Sequence, residues 1–181
     1  MPHAWIELNR GRGVVKALRS ERSGAYWYTR GVTLFEELAG VIRLFDEQRV
    51  EYALVGALAV AVWGAPRATK DIDLLIRPED LPRAMGLARQ RGFTLEAFPM
   101  QFQDGMEVQR TNKVDQAGAL LTLDFLLVNE NLEPIWRTRQ RVPFDQSSVT
   151  VVSRDALIKM KSAAARPQDI ADVQRLKEID R

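Results

Sequence analysis

The alternation of apolar and polar positions along the chain predicts a mixture of helices and strands. Apolar side chains recur at helical spacing over residues 32–48, whereas residues 71–76 and 119–128 are short and strand-like. The predicted helices cover residues 32–48, 57–63, 79–91, 131–139, 154–165 and 167–179. The predicted strands cover residues 52–55, 71–76, 93–98, 106–112, 119–128 and 148–152, with a turn at Asp104 and Gly105. Because several strands follow one another, we expect an α+β domain. Its mixed β-sheet would be flanked by helices and followed by C-terminal helices, unlike a doubly wound fold.

The composition is that of one ordinary globular domain. The 181 residues are 46% hydrophobic and 28% charged. No apolar run approaches the roughly 18–20 residues that cross a bilayer. The first twenty residues also lack the apolar core of a signal peptide. We therefore expect a cytoplasmic protein that does not bind a membrane.

Charge is unevenly placed along the chain. Residues 1–30 contain six Lys or Arg against two acidic residues, which gives them a net charge of +4. The net charge of the whole chain is +2. We expect residues 1–30 to be a basic N-terminal extension and residues 31–181 to form the domain. The extension could attract a phosphate backbone, or it could be a solvated leader, and the sequence leaves both open.

The residue types that are missing exclude several kinds of chemistry. The chain has no cysteine, and its one histidine is His3, close to the N-terminus. Thiol nucleophiles, thiolate metal sites and histidine-ligated zinc are therefore excluded or nearly so. The remaining chemistry must use carboxylates, lysines and backbone amides, and hard carboxylate oxygens favour Mg²⁺ or Mn²⁺.

The most informative pair of carboxylates is Asp71 and Asp73. Residues two apart on a strand point to the same face, so these two carboxylates share a face opposite Ile72 and Leu74. Their Cβ atoms would lie roughly 7 Å apart, a span that can hold one divalent cation or two neighbouring ones. The alternative is a solvated strand end, where two acidic residues are harmless.

Asp124 lies inside the most hydrophobic predicted strand, with apolar neighbours on both sides. An unpaired carboxylate there would cost several kcal/mol or take up a proton. A shared cation with the first acidic pair would relieve that cost. A structural ion pair with a buried arginine or lysine would relieve it equally well.

Two further positions suggest a place for phosphate. A strand that enters Gly56 and then a helix of small residues leaves backbone N–H groups free, and glycine allows close approach. Lys161 falls within the apolar stripe of its helix, so it either extends outward or points into a cleft towards an anion. Arg166, Asp169 and Asp172 could form a local ion-pair set at the junction of the last two helices, or simply stabilise the helix ends.

Taken in order, these motifs resemble those of the DNA polymerase beta superfamily of nucleotidyltransferases. The stretch from Leu54 to Asp73, LVGALAVAVWGAPRATKDID, is similar to that family's strand, glycine turn, helix and "PRxTxDID" run. The stretch from Leu157 to Asp172, LIKMKSAAARPQDIAD, is similar to its closing segment. Within the superfamily the resemblance is to the small bacterial branch that includes the AbiEii-type and related toxin–antitoxin transferases, and it covers roughly residues 31–180.

The resemblance implies a magnesium-dependent (or manganese-dependent) nucleotidyltransferase that moves NMP from an NTP to a hydroxyl. The implied metal ligands and catalytic residues are Asp71, Asp73 and Asp124. The implied nucleotide-binding residues are Gly56, Ala57, Arg67, Thr69 and Lys161. The acceptor could be an RNA end such as that of tRNA, a partner protein, or a small molecule, and a cognate toxin or antitoxin protein could accompany the chain.

Two positions depart from the family pattern. Ala57 stands where a serine or glycine is usual, and Ala165 stands where a glycine commonly precedes Arg166. Neither change removes a charge, so we expect weakened nucleotide binding. A different class of function stays open as well, namely a catalytically weakened module that binds a partner as an antitoxin or regulator.

Overall fold

The computed structural model describes residues 34–102, 105–116, 118–144 and 147–179, together with the strands of residues 5–9 and 14–18. Of the helices within these ranges, none has the length and apolar character needed to cross a bilayer.

Near the N-terminus, β1 (Trp5–Asn9) and β2 (Val14–Leu18) form an antiparallel pair. The sequence pattern does not predict these strands, because Gly11 and Gly13 interrupt the apolar pattern between them. The other residues before Leu34 lie outside the described residues. The boundary between an extension and the domain therefore stays a prediction.

The rest of the described chain alternates helices with strands. The helices are α1 (Leu34–Glu47), α2 (Gly56–Val62), α3 (Leu81–Gln90), α4 (Glu133–Trp136), α5 (Arg154–Ala164) and α6 (Pro167–Glu178), with a 3-10 turn at Pro78–Asp80 before α3. The strands are β3 (Tyr52–Leu54), β4 (Asp71–Ile76), β5 (Leu95–Glu96), β6 (Met100–Gln101), β7 (Glu107–Val114), β8 (Leu120–Leu127), β9 (Gln140–Phe144) and β10 (Ser147–Val151).

Among the described residues, β3 to β10 form one mixed sheet in the order β5-β7-β8-β4-β3-β10-β9, and β6 also pairs with β7. β4 pairs with β8 in parallel and with β3 antiparallel. This mixed sheet flanked by helices, with two helices at the C-terminus, confirms the fold class that the sequence predicts.

The two faces of the central strands differ in chemistry. On β4, Ile72, Leu74 and Ile76 are fully buried. Phe125 lies opposite Leu74 on β8, and its ring stacks on Phe45 of α1 with 6.1 Å between ring centroids. α1 therefore covers this face, and burial of each large apolar side chain contributes about 1.5–3 kcal/mol. The opposite face carries the acidic residues of β4.

Several elements differ from their predicted bounds. The helix predicted over residues 131–139 is only α4, and the strand predicted over 93–98 shortens to β5. β9 was not predicted, because Pro143 lacks an amide donor and weakens a strand pattern. The strand forms because it lies at the edge of the sheet, where a missing donor is tolerated. Of the predicted turn, Asp104 lies outside the described residues, and Gly105 has a φ of +77°.

Candidate functional site

The three predicted carboxylates lie side by side on one face of the sheet. The parallel register of β4 and β8 places Asp73 directly opposite Asp124. Directly opposed residues share a face, and so does Asp71, two residues earlier on β4. Asp71 is exposed, Asp73 is partly buried and Asp124 is buried. We refer to these three residues as the acidic trio.

Asp124 is held by an arginine of the neighbouring strand. Arg110 lies opposite Asp124 in the antiparallel pairing of β7 with β8. Its Nε donates to Oδ1 at 2.8 Å and its Nη2 donates to Oδ2 at 2.7 Å, so both carboxylate oxygens are occupied. These hydrogen bonds raise the pKa of Arg110. The ion pair that the sequence left open as an alternative is therefore present.

The arginine contact bears directly on the predicted metal site. Within the described ranges, no group of three or more Asp, Glu, His or Cys side chains is arranged so that it could hold a metal ion. Asp71 and Asp73 remain candidate ligands, since no ion pair among the described residues engages either carboxylate. The role of Asp124 as a third ligand stays a prediction.

Asp73 has an unfavourable electrostatic environment. Burial, and then the charges of Asp124 and Asp71, raises the pKa of Asp73 from 3.8 to about 6, while Lys161 and Arg166 act in the opposite direction. A carboxylate destabilised by two neighbouring carboxylates is the donor type that a divalent cation stabilises. The donor set of Asp71 and Asp73 therefore fits a magnesium or manganese ion.

Gly56 allows the close packing at this site. Its φ is +66°, in the left-handed region that glycine adopts without strain. A Cβ atom added there would lie 1.9 Å from Oδ2 of Asp73. The backbone N–H of Val55 also donates to the carbonyl of Asp73 at 3.0 Å. The turn into α2 therefore determines the position of Asp73. Ala57, the next residue of α2, also lines the site.

A second group of charges lies on the C-terminal helices. Asp169 and Asp172 of α6 are fully buried, and we call them the C-terminal pair. Lys161 Nζ lies 3.0 Å from Asp169 and 2.8 Å from Asp172. Arg67 Nε donates to both oxygens of Asp172 at 3.0 Å, and Arg166 Nε donates to Asp169 at 2.6 Å. Lys161 therefore points inward towards anions, but these anions are carboxylates of the chain itself.

The geometry of this second group follows from how α5 ends and α6 begins. Ser153 caps α5 by accepting a hydrogen bond from the N–H of Ala156 at 3.2 Å. The helix ends at Ala165, which has a left-handed φ of +51°. Glycine is preferred at this position, which explains the family's usual residue there. Pro167 then starts α6, and the short turn brings Asp169 back to Lys161 and Arg166.

Thr69 and Arg67 belong to the loop that leads into β4. The hydroxyl of Thr69 accepts a hydrogen bond from the N–H of Asp71 at 3.2 Å, so it helps to position the first acidic residue. Arg67 anchors the same loop to Asp172. Thr69 therefore contacts the acidic trio, and Arg67 contacts the C-terminal pair. The family resemblance implies that both residues bind the nucleotide.

All eight of the site residues suggested by the sequence line a single cavity of about 660 Å³. They are Gly56, Ala57, Arg67, Thr69, Asp71, Asp73, Asp124 and Lys161. The volume lies within the roughly 300–1,000 Å³ of small-molecule sites. Arg110, Arg166 and the apolar side chains of Met106, Leu126 and Leu132 also line it.

Arg110 is a site residue that was not predicted from the sequence. A signal for it exists, because a turn near Gly118 pairs Val114 with Leu120, and counting outward from that pair sets Arg110 opposite Asp124. The roles of Asp172 and Arg67 as partners were also missed, because they are 105 residues apart in sequence.

The mixed sheet, its helices and the position of the cavity define the class of protein by fold. The chain has the fold of nucleotidyltransferases of known structure. It is similar to the lincosamide antibiotic adenylyltransferase LnuA, solved with lincomycin bound, with a TM-score of 0.55 and 16% identity over 83% of this chain and 99% of that chain. It is also similar to the antibiotic-resistance factor ANT(2'')-Ia, with a TM-score of 0.57 and 14% identity over 81% of this chain and 84% of that chain.

A candidate nucleotidyltransferase of Thermotoga maritima gives a TM-score of 0.55 at 12% identity, over 81% of this chain and 95% of that chain. No protein-family model matches the sequence, and no curated protein matches it. At these identities the likeness shows the fold alone.

Proposed function

We propose that this chain is a metal-dependent nucleotidyltransferase that moves NMP from an NTP to a hydroxyl acceptor. The observation that carries the proposal is the position of the acidic trio beside Gly56 and two cationic groups, Lys161 and Arg166, in one cavity. Carboxylates alone would suggest only a metal site. Carboxylates next to a glycine turn and cations suit a metal–triphosphate substrate.

Asp71 and Asp73 would hold the cation. When bound, a divalent cation neutralises phosphate charge and favours departure of pyrophosphate. The N–H groups after Gly56 would hold the triphosphate. Arg166, whose side chain is 65% exposed, is better placed to reach it than the buried Lys161. The acceptor hydroxyl would attack the α-phosphorus as the bond to pyrophosphate breaks, and its proton would pass to a carboxylate of the trio, for which Asp124 is our candidate.

For the acceptor, we propose the hydroxyl of a small molecule as the first class to test. LnuA is a lincosamide adenylyltransferase, and ANT(2'')-Ia has been solved with adenylyl-2''-tobramycin. The apolar wall formed by Met106, Leu126 and Leu132 would suit a compound with a nonpolar face. An RNA end such as that of tRNA and a partner protein's hydroxyl are the other outcomes. A toxin–antitoxin role rests on the sequence resemblance alone.

Thermal unfolding with each of ATP, CTP, GTP and UTP, with and without Mg²⁺, tests the proposal. A nucleotide at about one hundred times its Kd stabilises the folded state by about 2.7 kcal/mol. For a chain of this size that corresponds to a rise in Tm of roughly 5–10 °C. The rise should require Mg²⁺ and be lost in Asp71→Asn. It should persist in Asp155→Asn, which changes an exposed carboxylate in the first turn of α5.

Incubation with the α-labelled form of the stabilising nucleotide then identifies the acceptor. Separate reactions would contain tRNA, total cellular protein and a panel of hydroxylated small molecules. Labelled product should form in one class and should be absent with Asp71→Asn. If no nucleotide stabilises the chain in a Mg²⁺-dependent way, the enzyme proposal is wrong and the partner-binding module becomes the better account.

A further inference from the structure

Arg110 and Asp124 form a two-pronged contact next to the candidate metal site. Its two hydrogen bonds, at 2.8 and 2.7 Å, place a positive guanidinium against both oxygens of the carboxylate. The pairing is built into the sheet, because β7 and β8 place the two residues directly opposite each other. A divalent cation bound to Asp124 would therefore lie beside the positive charge of Arg110, which disfavours it while the pair is intact.

Three of the other cations of the cavity, Lys161, Arg166 and Arg67, are bound to the C-terminal pair. Lys161 and Arg166 affect Asp73 only as nearby charges. Among the ion pairs of the described residues, the one that reaches the acidic trio is that of Arg110 with Asp124. Asp71 and Asp73 are thus unpaired candidate ligands among the described residues, whereas Asp124 already binds a cationic side chain.

Arg110 is also able to leave. Its side chain is 40% exposed, whereas that of Asp124 is 8% exposed. A guanidinium at the mouth of a cavity can turn to solvent or to a phosphate, which it binds through the same two-pronged geometry. Asp124 is buried in its strand and has no comparable freedom. Replacement of the guanidinium by a cation at Asp124 must therefore begin with movement of Arg110.

We propose that Arg110 competes with a second divalent cation for Asp124, so that the chain binds cations in a fixed order. The first binds at Asp71 and Asp73, and a second binds only when Arg110 is displaced from Asp124. This inference rests on the proposed function insofar as the acidic trio must be a metal site. It identifies Arg110 as a positioning residue whose contact with Asp124 controls the binding of the second ion.

Titration of the protein with Mn²⁺, followed by the electron paramagnetic resonance signal of free Mn²⁺, tests the order without measuring activity. The wild type should bind one ion, with a second at least tenfold more weakly. In Arg110→Gln the second ion should bind at least tenfold more tightly than in the wild type. In the double variant Arg110→Gln with Asp124→Asn this tightening should disappear, which would place the second ion at Asp124.

Two control variants accompany the titration. Arg89→Gln removes an exposed arginine that pairs with Glu96 outside the cavity, and its Mn²⁺ binding should match that of the wild type. Arg110→Lys keeps the charge but loses the two-pronged contact, so its second ion should bind with intermediate affinity. Circular dichroism establishes that each variant is folded. If Arg110→Gln does not fold, Arg110→Lys and the wild-type stoichiometry still decide the question.

Four results would overturn the inference. Two ions bound equally tightly by the wild type, or an unchanged second affinity in Arg110→Gln, would show that Arg110 does not compete, and the proposed function would stand. Tightening that persists in the double variant would place the second ion elsewhere. The absence of Mn²⁺ binding in every variant would overturn both this inference and the proposed metal site.

Discussion

Two groups of carboxylates border the same cavity and have opposite electrostatic balance. The acidic trio has three carboxylates and one directly bound cation, the guanidinium of Arg110. The C-terminal pair has two carboxylates and three bound cations, supplied by Lys161, Arg166 and Arg67. The residue type is the same in both groups, so the number of bound cations makes the difference.

The pKa values follow this balance. The pKa of Asp73 is raised to about 6 by burial and by its neighbouring carboxylates. Burial alone would also raise the pKa of Asp169, but hydrogen bonds from Arg166 and Lys161 outweigh it, and the pKa of Asp169 is lowered. The C-terminal pair is therefore stabilised within the fold, whereas Asp73 of the trio is destabilised in its ionised form. Carboxylates with perturbed pKa values are enriched at functional sites, so we propose the trio, rather than the C-terminal pair, as the reactive group.

The largest expected effect is a loss of stability when the C-terminal pair is disrupted. Asp172→Asn should lower the free energy of unfolding by about 3–5 kcal/mol, because it leaves buried positive charge without its partner. Asp172 is fully buried and binds both Lys161 and Arg67. The loss should be the same with and without Mg²⁺, since this group is already neutralised by the chain. Urea denaturation in both conditions measures it.

Asp46→Asn provides the matched control. Asp46 pairs with Arg141 at 2.8 Å on the surface, with side chains 31% and 55% exposed. Exposed pairs contribute about 0–1 kcal/mol, so this variant should stay close to the wild type. A loss in Asp172→Asn no larger than that of Asp46→Asn would show that burial of the C-terminal pair does not matter to stability.

The second prediction disturbs the trio through the backbone. Gly56→Ala should lower the free energy of unfolding by about 2–4 kcal/mol, from the left-handed φ and the overlap with Asp73. It should also abolish Mg²⁺-dependent stabilisation by nucleotide, because Asp73 must move. Gly86→Ala is the control, since an added Cβ there has no neighbour within 4 Å and alanine favours a helix. Equal effects of the two substitutions would exclude the close approach of Gly56 and Asp73.

The difference between the two groups could be predicted only in part from the sequence. The strand period of two places Asp71 and Asp73 on one face, and a long apolar run identifies β8. The pairing of β4 with β8, which brings Asp124 beside them, joins distant segments and does not follow from local pattern. The partner of Asp124 depends on the register between β7 and β8, which the turn near Gly118 sets and the alternation of apolar residues alone does not. Burial of Asp124 therefore predicted that it needs a partner, but not whether that partner is a metal or Arg110.

The C-terminal pair shows a similar limit. Helical spacing places Lys161 within the apolar stripe of its helix and Asp169 and Asp172 near the helix junction, and it leaves the direction of the Lys161 side chain open. Their actual partners depend on the left-handed turn at Ala165 and on a loop about one hundred residues earlier that carries Arg67. Contacts between distant segments are set by tertiary packing, and sequence periodicity does not specify them.

The smallest expected effect on stability comes from removing the charge of Asp73 in the acidic trio. Asp73→Asn should stabilise the metal-free protein at pH 7.5 by about 1–3 kcal/mol, because one pKa unit corresponds to about 1.4 kcal/mol. The pKa of Asp73 is about 6 in the folded state against 3.8 ordinarily, so the folded state binds the proton more tightly. The free energy of unfolding of the wild type should therefore fall as pH rises from about 4 to 6, and the loss should be complete above pH 7.

Urea denaturation of the wild type and Asp73→Asn at pH 4.5, 6 and 7.5 measures this dependence as a difference between the two proteins, which removes the contribution of other groups. The difference should be largest at pH 7.5 and shrink towards pH 4.5. Saturating Mg²⁺ at pH 7.5 should also shrink it, because the cation stabilises the ionised Asp73 of the wild type alone. A variant less stable than the wild type at pH 7.5 without metal would mean that the trio is balanced by the chain itself, and the contrast between the two acidic groups would be lost.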